Sequence, residues 1–304
     1  MGVPATGEQH VLTLGGVSAT VTELGASLRR LRVGDLELIQ QYPPDALPSG
    51  GSGLVLVPWP NRVRDGRWTL DGRTQQLDLT DPSKGNAIHG LLRNTGYRVT
   101  DRSDSAITLS ARVFPQHGWP FHLETSVRYE LTADGIAVTH GVRNDGDGVA
   151  PVGVGCHPYL CLGDVPMRDL VVTVSGDRML ETDDRSLPVR EVAVEGRPQD
   201  LRGGASLADL RLDTAYTGLT IEDGRVRHRL SDPAGRTVEL HADPAFAWAQ
   251  VFTNDVYATE DGVIDAVAIE PMTCPPDALN SGEGLVHLQQ DEQWVVDWGI
   301  RLLA

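Results

Sequence analysis

His122-Leu-Glu-Thr-Ser-Val-Arg-Tyr-Glu-Leu131 alternates without a break. Leu123, Thr125, Val127, Tyr129 and Leu131 fall on one side of an extended chain; His122, Glu124, Ser126, Arg128 and Glu130 fall on the other. Successive side chains of a strand point to opposite faces, so this stretch is a strand with one dry and one wet face. The same period of two recurs at Ile107/Leu109/Ala111/Val113, at Ile136/Val138/His140/Val142 and at Trp294/Val296/Trp298/Ile300/Leu302. Asp-Gly pairs punctuate the pattern at Asp71-Gly72, Asp134-Gly135, Asp145-Gly146, Asp223-Gly224 and Asp261-Gly262. Asp-Gly is a strong hairpin signal, because a two-residue turn needs positive φ.

At one strand per 8 to 12 residues, the chain has room for about 25 to 30 strands. No stretch carries a sustained helical stripe; within Pro198 to Leu212 one short helix is expected near Ala205 to Leu210. No Gly/Ser linker, low-complexity tract or short repeat divides the chain. The expected architecture is all-β, a large antiparallel β-sandwich occupying residues 1–304 as one domain.

Composition narrows the functions. The formal charge of −16 argues against nucleic acid as a partner, since a polyanion would be repelled. Lys84 is the only lysine, which leaves Schiff-base chemistry a single residue to rest on. Cys156, Cys161 and Cys274 are too few and too odd for a disulfide framework; they read as reduced thiols in a cytoplasmic protein. No secretory signal is visible, and runs such as Leu54 to Val57 are too short to span a bilayer. Gly2 and Thr6 fit the loose myristoylation pattern, but no basic cluster follows, so no membrane partner is expected.

Four segments put polar groups where a β protein has few to spare. Leu54-Val-Leu-Val-Pro-Trp-Pro-Asn-Arg62 is an apolar strand stopped by two prolines, which set Asn61 and Arg62 on a rigid corner. Gly85-Asn-Ala-Ile-His-Gly90 sets His89 among small residues, where a ligand can approach the imidazole closely. Val152-Gly-Val-Gly-Cys-His-Pro-Tyr159 delivers His157 at a strand end, held extended by the following proline. An imidazole held stiffly there suits proton transfer. In Ala266-Val-Ala-Ile-Glu-Pro-Met272, Glu270 closes an apolar strand, so burial should raise its pKa and its basicity. Each segment alone has an ordinary explanation: a plain turn, a backbone-bonded histidine, or a glutamate paired with a core arginine such as Arg62. Zinc is a rival for His157, with Cys156 and Cys161 nearby, but that spacing lacks the usual ligand pattern.

Taken together, Asn61-Arg62, His89-Gly90, His157-Pro158-Tyr159 and Glu270-Pro271, followed by Pro275-Pro276-Asp277-Ala278 and Asn280-Ser281-Gly282, resemble the aldose 1-epimerase (galactose mutarotase) family. The resemblance runs from about Thr13 to the C-terminus and is weakest between Asp164 and Leu212. It implies a β-supersandwich, no metal, no organic cofactor, and an aldose as the small-molecule substrate. It further implies that Glu270 takes the proton of the anomeric hydroxyl, that His157 protonates the ring oxygen, and that His89 polarises the same region. Arg62, Asp213 and Gln250 would then bind sugar hydroxyls, with Asn61 and Tyr159 shaping the pocket. Leu160 stands where the family often has phenylalanine and Tyr97 where tryptophan is common, which puts the sugar's identity in question.

Rival readings remain on the same residues. A glycoside hydrolase would use two carboxylates, and Asp213 with Glu270 could supply them. A non-catalytic sugar-binding protein would keep Arg62 and Asp213 but have no use for both His157 and Glu270. A hexose-phosphate 1-epimerase would need cations near the site, for which Arg62, Arg64, Arg67, Arg73 and Arg93 are candidates. Trp59 and Trp119 are candidates to stack on a sugar face. A monomer or a homodimer fits the sequence equally.

Overall fold

A computed structural model describes residues 4–303, so Gly2 of the myristoylation pattern lies outside the described residues. Among the described residues the chain forms 28 strands, and every strand pairing is antiparallel. The run that decides the fold is the strand Leu123–Leu131, with Leu123, Thr125, Val127, Tyr129 and Leu131 buried. It pairs on one side with Ala106–Val113 and on the other with Gly135–Asn144. These belong to a ten-stranded sheet that continues through Gln293–Leu303 and Thr237–Ala242. An eight-stranded sheet runs from Pro188–Ala193 through Gly176–Thr182, Asp213–Leu219, Trp248–Thr259, Gly262–Met272 and Gly155–Cys156 to Val55–Leu56. A four-stranded sheet, Gln9 to Glu37, covers the N-terminal part.

Apolar faces of all three sheets share one continuous core, in which Leu12 and Val21 join Val127, Tyr129, Val251 and Ile269. Burial of that apolar area is the dominant stabilising term. The architecture is the large antiparallel β arrangement expected. No helix among the described residues is long and apolar enough to cross a membrane.

Two expectations are corrected. Ala205 to Leu210 forms no helix; Ala205–Ser206 adds an edge strand to Val171–Val172, and Leu207 is buried in the core. The sheet edge offers Ala205 and Ser206 ready backbone partners, which a short helix there would forgo. The Asp-Gly signals also divide. Asp71-Gly72 and Asp223-Gly224 take positive φ at both residues and close tight hairpins, Leu70 facing Arg73 and Glu222 facing Arg225. Asp134-Gly135 and Asp145-Gly146 do not, because longer links span those gaps; at the second, Asn144 Oδ1 accepts the Gly146 N–H (3.0 Å). At Asp261-Gly262 only the glycine has positive φ.

Candidate active site

The eight-stranded sheet ends at a hollow of about 360 Å3 into which all four singled-out segments converge. The first arrives as the strand Val55–Leu56, which stops at Pro58 and Pro60 and turns through Asn61. Asn61 is left-handed (φ 56°), a conformation asparagine tolerates, and its Oδ1 accepts the Arg62 N–H (2.8 Å). The second segment meets it there. His89, also left-handed (φ 62°), donates its backbone N–H to Asn61 O (2.9 Å), while the Asn61 N–H donates to His89 Nδ1 (3.2 Å). Gly90 follows because only glycine fits: a Cβ there would lie 2.0 Å from the Val57 carbonyl oxygen.

The downstream Pro-Pro-Asp motif secures this corner. Asp277 donates its N–H to Arg62 O (2.7 Å), and its Oδ1 accepts the Arg64 N–H (2.9 Å) and Asn280 Nδ2 (2.7 Å). The one-turn helix Ala278–Ser281 starts from it. The motif is therefore a clamp on Asn61-Arg62 and does not itself line the hollow.

His157 and Glu270 lie 113 positions apart in the chain, and the fold brings His157 Nε2 to 3.4 Å from Glu270 Oε1. Both are buried, 4% and 2% exposed. The His157 ring stacks on Tyr159 (5.2 Å between centroids, 19°) and meets the His89 ring edge-on (5.4 Å, 75°). Glu270 does not take Arg62 as its partner. Arg62 donates Nε to Asp81 Oδ2 (2.9 Å) and approaches Asp213 Oδ2 with its other end (3.7 Å). Gln250, opposite Glu270 across the sheet, donates Nε2 to Asp213 Oδ1 (2.6 Å).

Electrostatics follow from burial. Loss of water pushes the Glu270 carboxyl well above the usual range, Asp213 adds to it, and Arg62 only partly opposes. Burial pulls His157 down to about 4. Both shifts favour an uncharged pair, with one proton shared between the two groups. His89 is also held neutral, first by burial, with the charges of Arg62 and Arg93 acting in the same direction. Burial alone would raise Asp81, but hydrogen bonds from Arg62 and Ser83 outweigh it and hold that carboxylate low.

The donor set bears on metal binding. His89, His157 and Glu270 offer ligand atoms within 4.8 Å of one another. Yet the Asn61 N–H can only donate, so His89 Nδ1 carries the lone pair and Nε2 the proton. A protonated nitrogen cannot ligate, so this triad suits hydrogen bonding better than a cation. Cys156 contacts His140 (3.2 Å) and Cys161 contacts Glu37 O (3.5 Å), so neither turns toward this triad.

Asn61, Arg62, His89, His157, Asp213 and Glu270 all line the hollow. Tyr159 and Gln250 do not: Tyr159 backs His157, and Gln250 orients Asp213. Tyr159, expected to shape the pocket, is bonded to Asn254 (3.2 Å), and Gln250, expected to bind hydroxyls, keeps Oε1 without a hydrogen-bond partner. Trp59 and Trp119 are also elsewhere, packed on each other in the core (5.5 Å). Phe252 supplies the aromatic wall instead, with Leu54 and Ile88. Neither Leu160 nor Tyr97 lines the hollow; both are buried in the core, so those departures leave the wall unchanged. Of the five arginines, Arg62 and Arg93 line it. Arg64 turns to Asp183 and Asp277, Arg67 to Gln76, and Arg73 sits in an exposed hairpin. Thr80 and Asp81 were missed; an Asp-Pro step after a threonine reads as any turn. A larger groove, about 640 Å3, is lined by other residues, among them Glu37, Asp164 and Asp265, and by no histidine.

A family model described as aldose 1-epimerase matches residues 8–301. The chain belongs to the aldose 1-epimerase family. It is 29% identical over 286 residues to the uncharacterized protein YihR of Escherichia coli (strain K12), covering 93% of this chain and 90% of that one. Among solved structures of the same fold is the GalM/aldose epimerase homologue from C. elegans, with TM-score 0.83, 17% identity and coverage of 97% and 99%. Another is galactose 1-epimerase from Lactobacillus acidophilus NCFM, with TM-score 0.78, 19% identity and coverage of 97% and 94%. Family membership and fold thus support an enzyme.

Proposed function

We propose that the protein is a mutarotase, interconverting the α and β anomers of an aldose. In the tautomer of the pair that carries its one acidic proton on His157, Glu270 removes the proton from the anomeric hydroxyl and His157 delivers its own from Nε2 to the ring oxygen. The bond from C1 to the ring oxygen breaks, and C1 becomes an aldehyde carbon. Rotation about C1–C2 presents the other face, and the two groups exchange roles as the ring closes. No atoms are gained or lost, and the pair ends with the single proton it began with. His89 donates from Nε2 into the same space, and Arg62 and Asp213 hold hydroxyls. General acid and general base catalysis each give about 10²- to 10⁴-fold.

The observation that carries this reading is the 3.4 Å approach of His157 Nε2 to Glu270 Oε1 inside the hollow. Hydrolysis through Asp213 and Glu270 has less support, because Asp213 is engaged by Gln250 and Arg62. Three unpaired buried cysteines fit a cytoplasmic setting. Polarimetry on freshly dissolved α-glucose and α-galactose should show mutarotation well above the spontaneous rate. An unchanged rate across a panel of aldoses would leave a sugar-binding protein as the better reading.

A phosphorylated aldose is a second reading, favoured by one feature. Arg93 lines the hollow and donates to the Thr80 carbonyl (3.0 Å), with no ion-pair partner among the described residues. A higher kcat/KM on glucose 6-phosphate than on glucose would select it.

A further inference from the structure

The loop that carries His89 is held from outside the hollow. Arg185 lies in the turn between Gly176–Thr182 and Pro188–Ala193, at the far edge of the eight-stranded sheet. That turn is stiffened by Asp183, whose Oδ1 accepts the N–H groups of Arg185 (2.9 Å) and Leu187 (3.0 Å). From it the Arg185 guanidinium crosses to the segment just before His89. Nε donates to Lys84 O (2.8 Å). One terminal nitrogen is shared among Gly85 O (2.8 Å), Asn86 Oδ1 (2.9 Å) and Asp65 Oδ1 (2.8 Å). The loop returns two contacts: Asn86 Nδ2 donates to Arg185 O (3.2 Å) and Lys84 Nζ to Asp184 O (2.7 Å).

Asn86 is the hinge of this arrangement. It is fully buried, exchanges backbone hydrogen bonds with Asp81 in both directions (2.9 and 3.1 Å), and leads through Ala87–Ile88 directly into His89. Asp81 and His89 both line the hollow, and Arg185 does not. A charged, planar donor that satisfies three consecutive residues fixes backbone far better than turn propensity alone, since charge-assisted bonds are the stronger kind.

We propose that Arg185 is a positioning residue: a latch that holds the 81–89 loop and with it the His89 side chain that lines the hollow. The consequence for rate rests on the mutarotase reading; the consequence for the loop does not. An ångström of misplacement can cost about 10²-fold, and partial loosening should cost about 10-fold.

The test uses the full chain with Arg185→Ala and Arg185→Lys, read by mutarotation kinetics and by amide hydrogen exchange. In Arg185→Ala, kcat should fall about 10-fold with a smaller change in KM. Exchange should rise at Asn86 to Gly90 while the strands Leu123–Leu131 and Gly262–Met272 keep their protection. Arg185→Lys should fall between, and guanidinium ion at millimolar concentration should restore part of the loss in Arg185→Ala. Wild-type exchange at Asn86 to Gly90 in Arg185→Ala overturns the latch, and so does loss of protection spread evenly over the chain. If the wild-type protein performs no mutarotation, the function fails and the exchange measurement alone decides the latch.

Discussion

Two glutamates, Glu239 in the strand Thr237–Ala242 and Glu270 in the strand Gly262–Met272, are withdrawn from water almost equally, at 1% and 2% exposed. Glu239 accepts hydrogen bonds from Arg227 (2.8 Å), Arg229 (2.9 Å) and Arg301 (2.7 Å). Burial alone would raise its carboxyl, but the bonds from Arg301 and Arg227 outweigh burial and hold it low. Glu270 has no arginine at bonding distance, only His157 at 3.4 Å, and its carboxyl goes the other way. The cation that acts on it, Arg62, is paired instead with Asp81 and Asp213. Depth in the protein therefore does not by itself raise a carboxyl's pKa. What does is depth combined with the diversion of cations that would neutralise it.

The contrast can be broken from either side. The largest effect is expected at the structural carboxylate. Glu239→Gln leaves three guanidinium groups around a neutral amide and should cost about 3 kcal/mol, the low end for a broken buried pair because Arg229 and Arg301 are partly exposed. Turnover per folded molecule should stay within about twofold, which denaturant titration and polarimetry together would check.

Next comes the proposed acid–base pair. Glu270→Gln and His157→Asn should each lower kcat by at least about 10²-fold with folding intact. A wild-type-like rate in either would remove that residue from the mechanism.

The two acids should also tilt stability against pH in opposite directions. With its folded pKa lowered, Glu239 contributes stability that is present above its unfolded value of 4.5 and lost as pH falls through the folded one. With its folded pKa raised, Glu270 contributes stability that is full below 4.5 and lost as pH rises toward the folded value. Glu270→Gln should therefore melt higher than wild type at pH 7, with a gap that widens from about pH 4.5 upward, as calorimetry across that range would show.

The smallest effect sharpens the role of Arg62. On the proposed mechanism, the shared proton should give a bell-shaped kcat/KM, with an acid limb near the His157 value of about 4 and an alkaline limb set by the raised Glu270 carboxyl. Asp81→Asn releases Arg62 from its shortest ion pair and lets its charge act more fully on Glu270. The alkaline limb should move down by less than about one pH unit. An upward shift would mean that Arg62 does not act on Glu270.

Much of this was legible in the chain itself, for reasons that differ by residue. Leu123 to Leu131 declared its two faces because alternation is a local property of an extended backbone. His157 and Glu270 stood out because a titratable group beside a proline at the end of an apolar run is costly to bury without a use. Trp59 and Trp119 misled because a tryptophan beside a site motif and one in the core look alike in sequence. Arg185 gave no signal at all: one arginine among 25 in a polar turn becomes a latch only when the loop 100 residues earlier folds against it.

The amino-acid order alone determined the strands, the all-β class and the segments that bear proton-carrying groups, because backbone periodicity and proline or glycine constraints act over a few neighbours. Only the tertiary structure decided which carboxylate Arg62 meets, which nitrogen of His89 keeps its proton, and that Glu239 is neutralised while Glu270 is not. Those outcomes are competitions among partners brought together from distant parts of the chain, and electrostatic energy depends on their separation in space and on the water excluded between them.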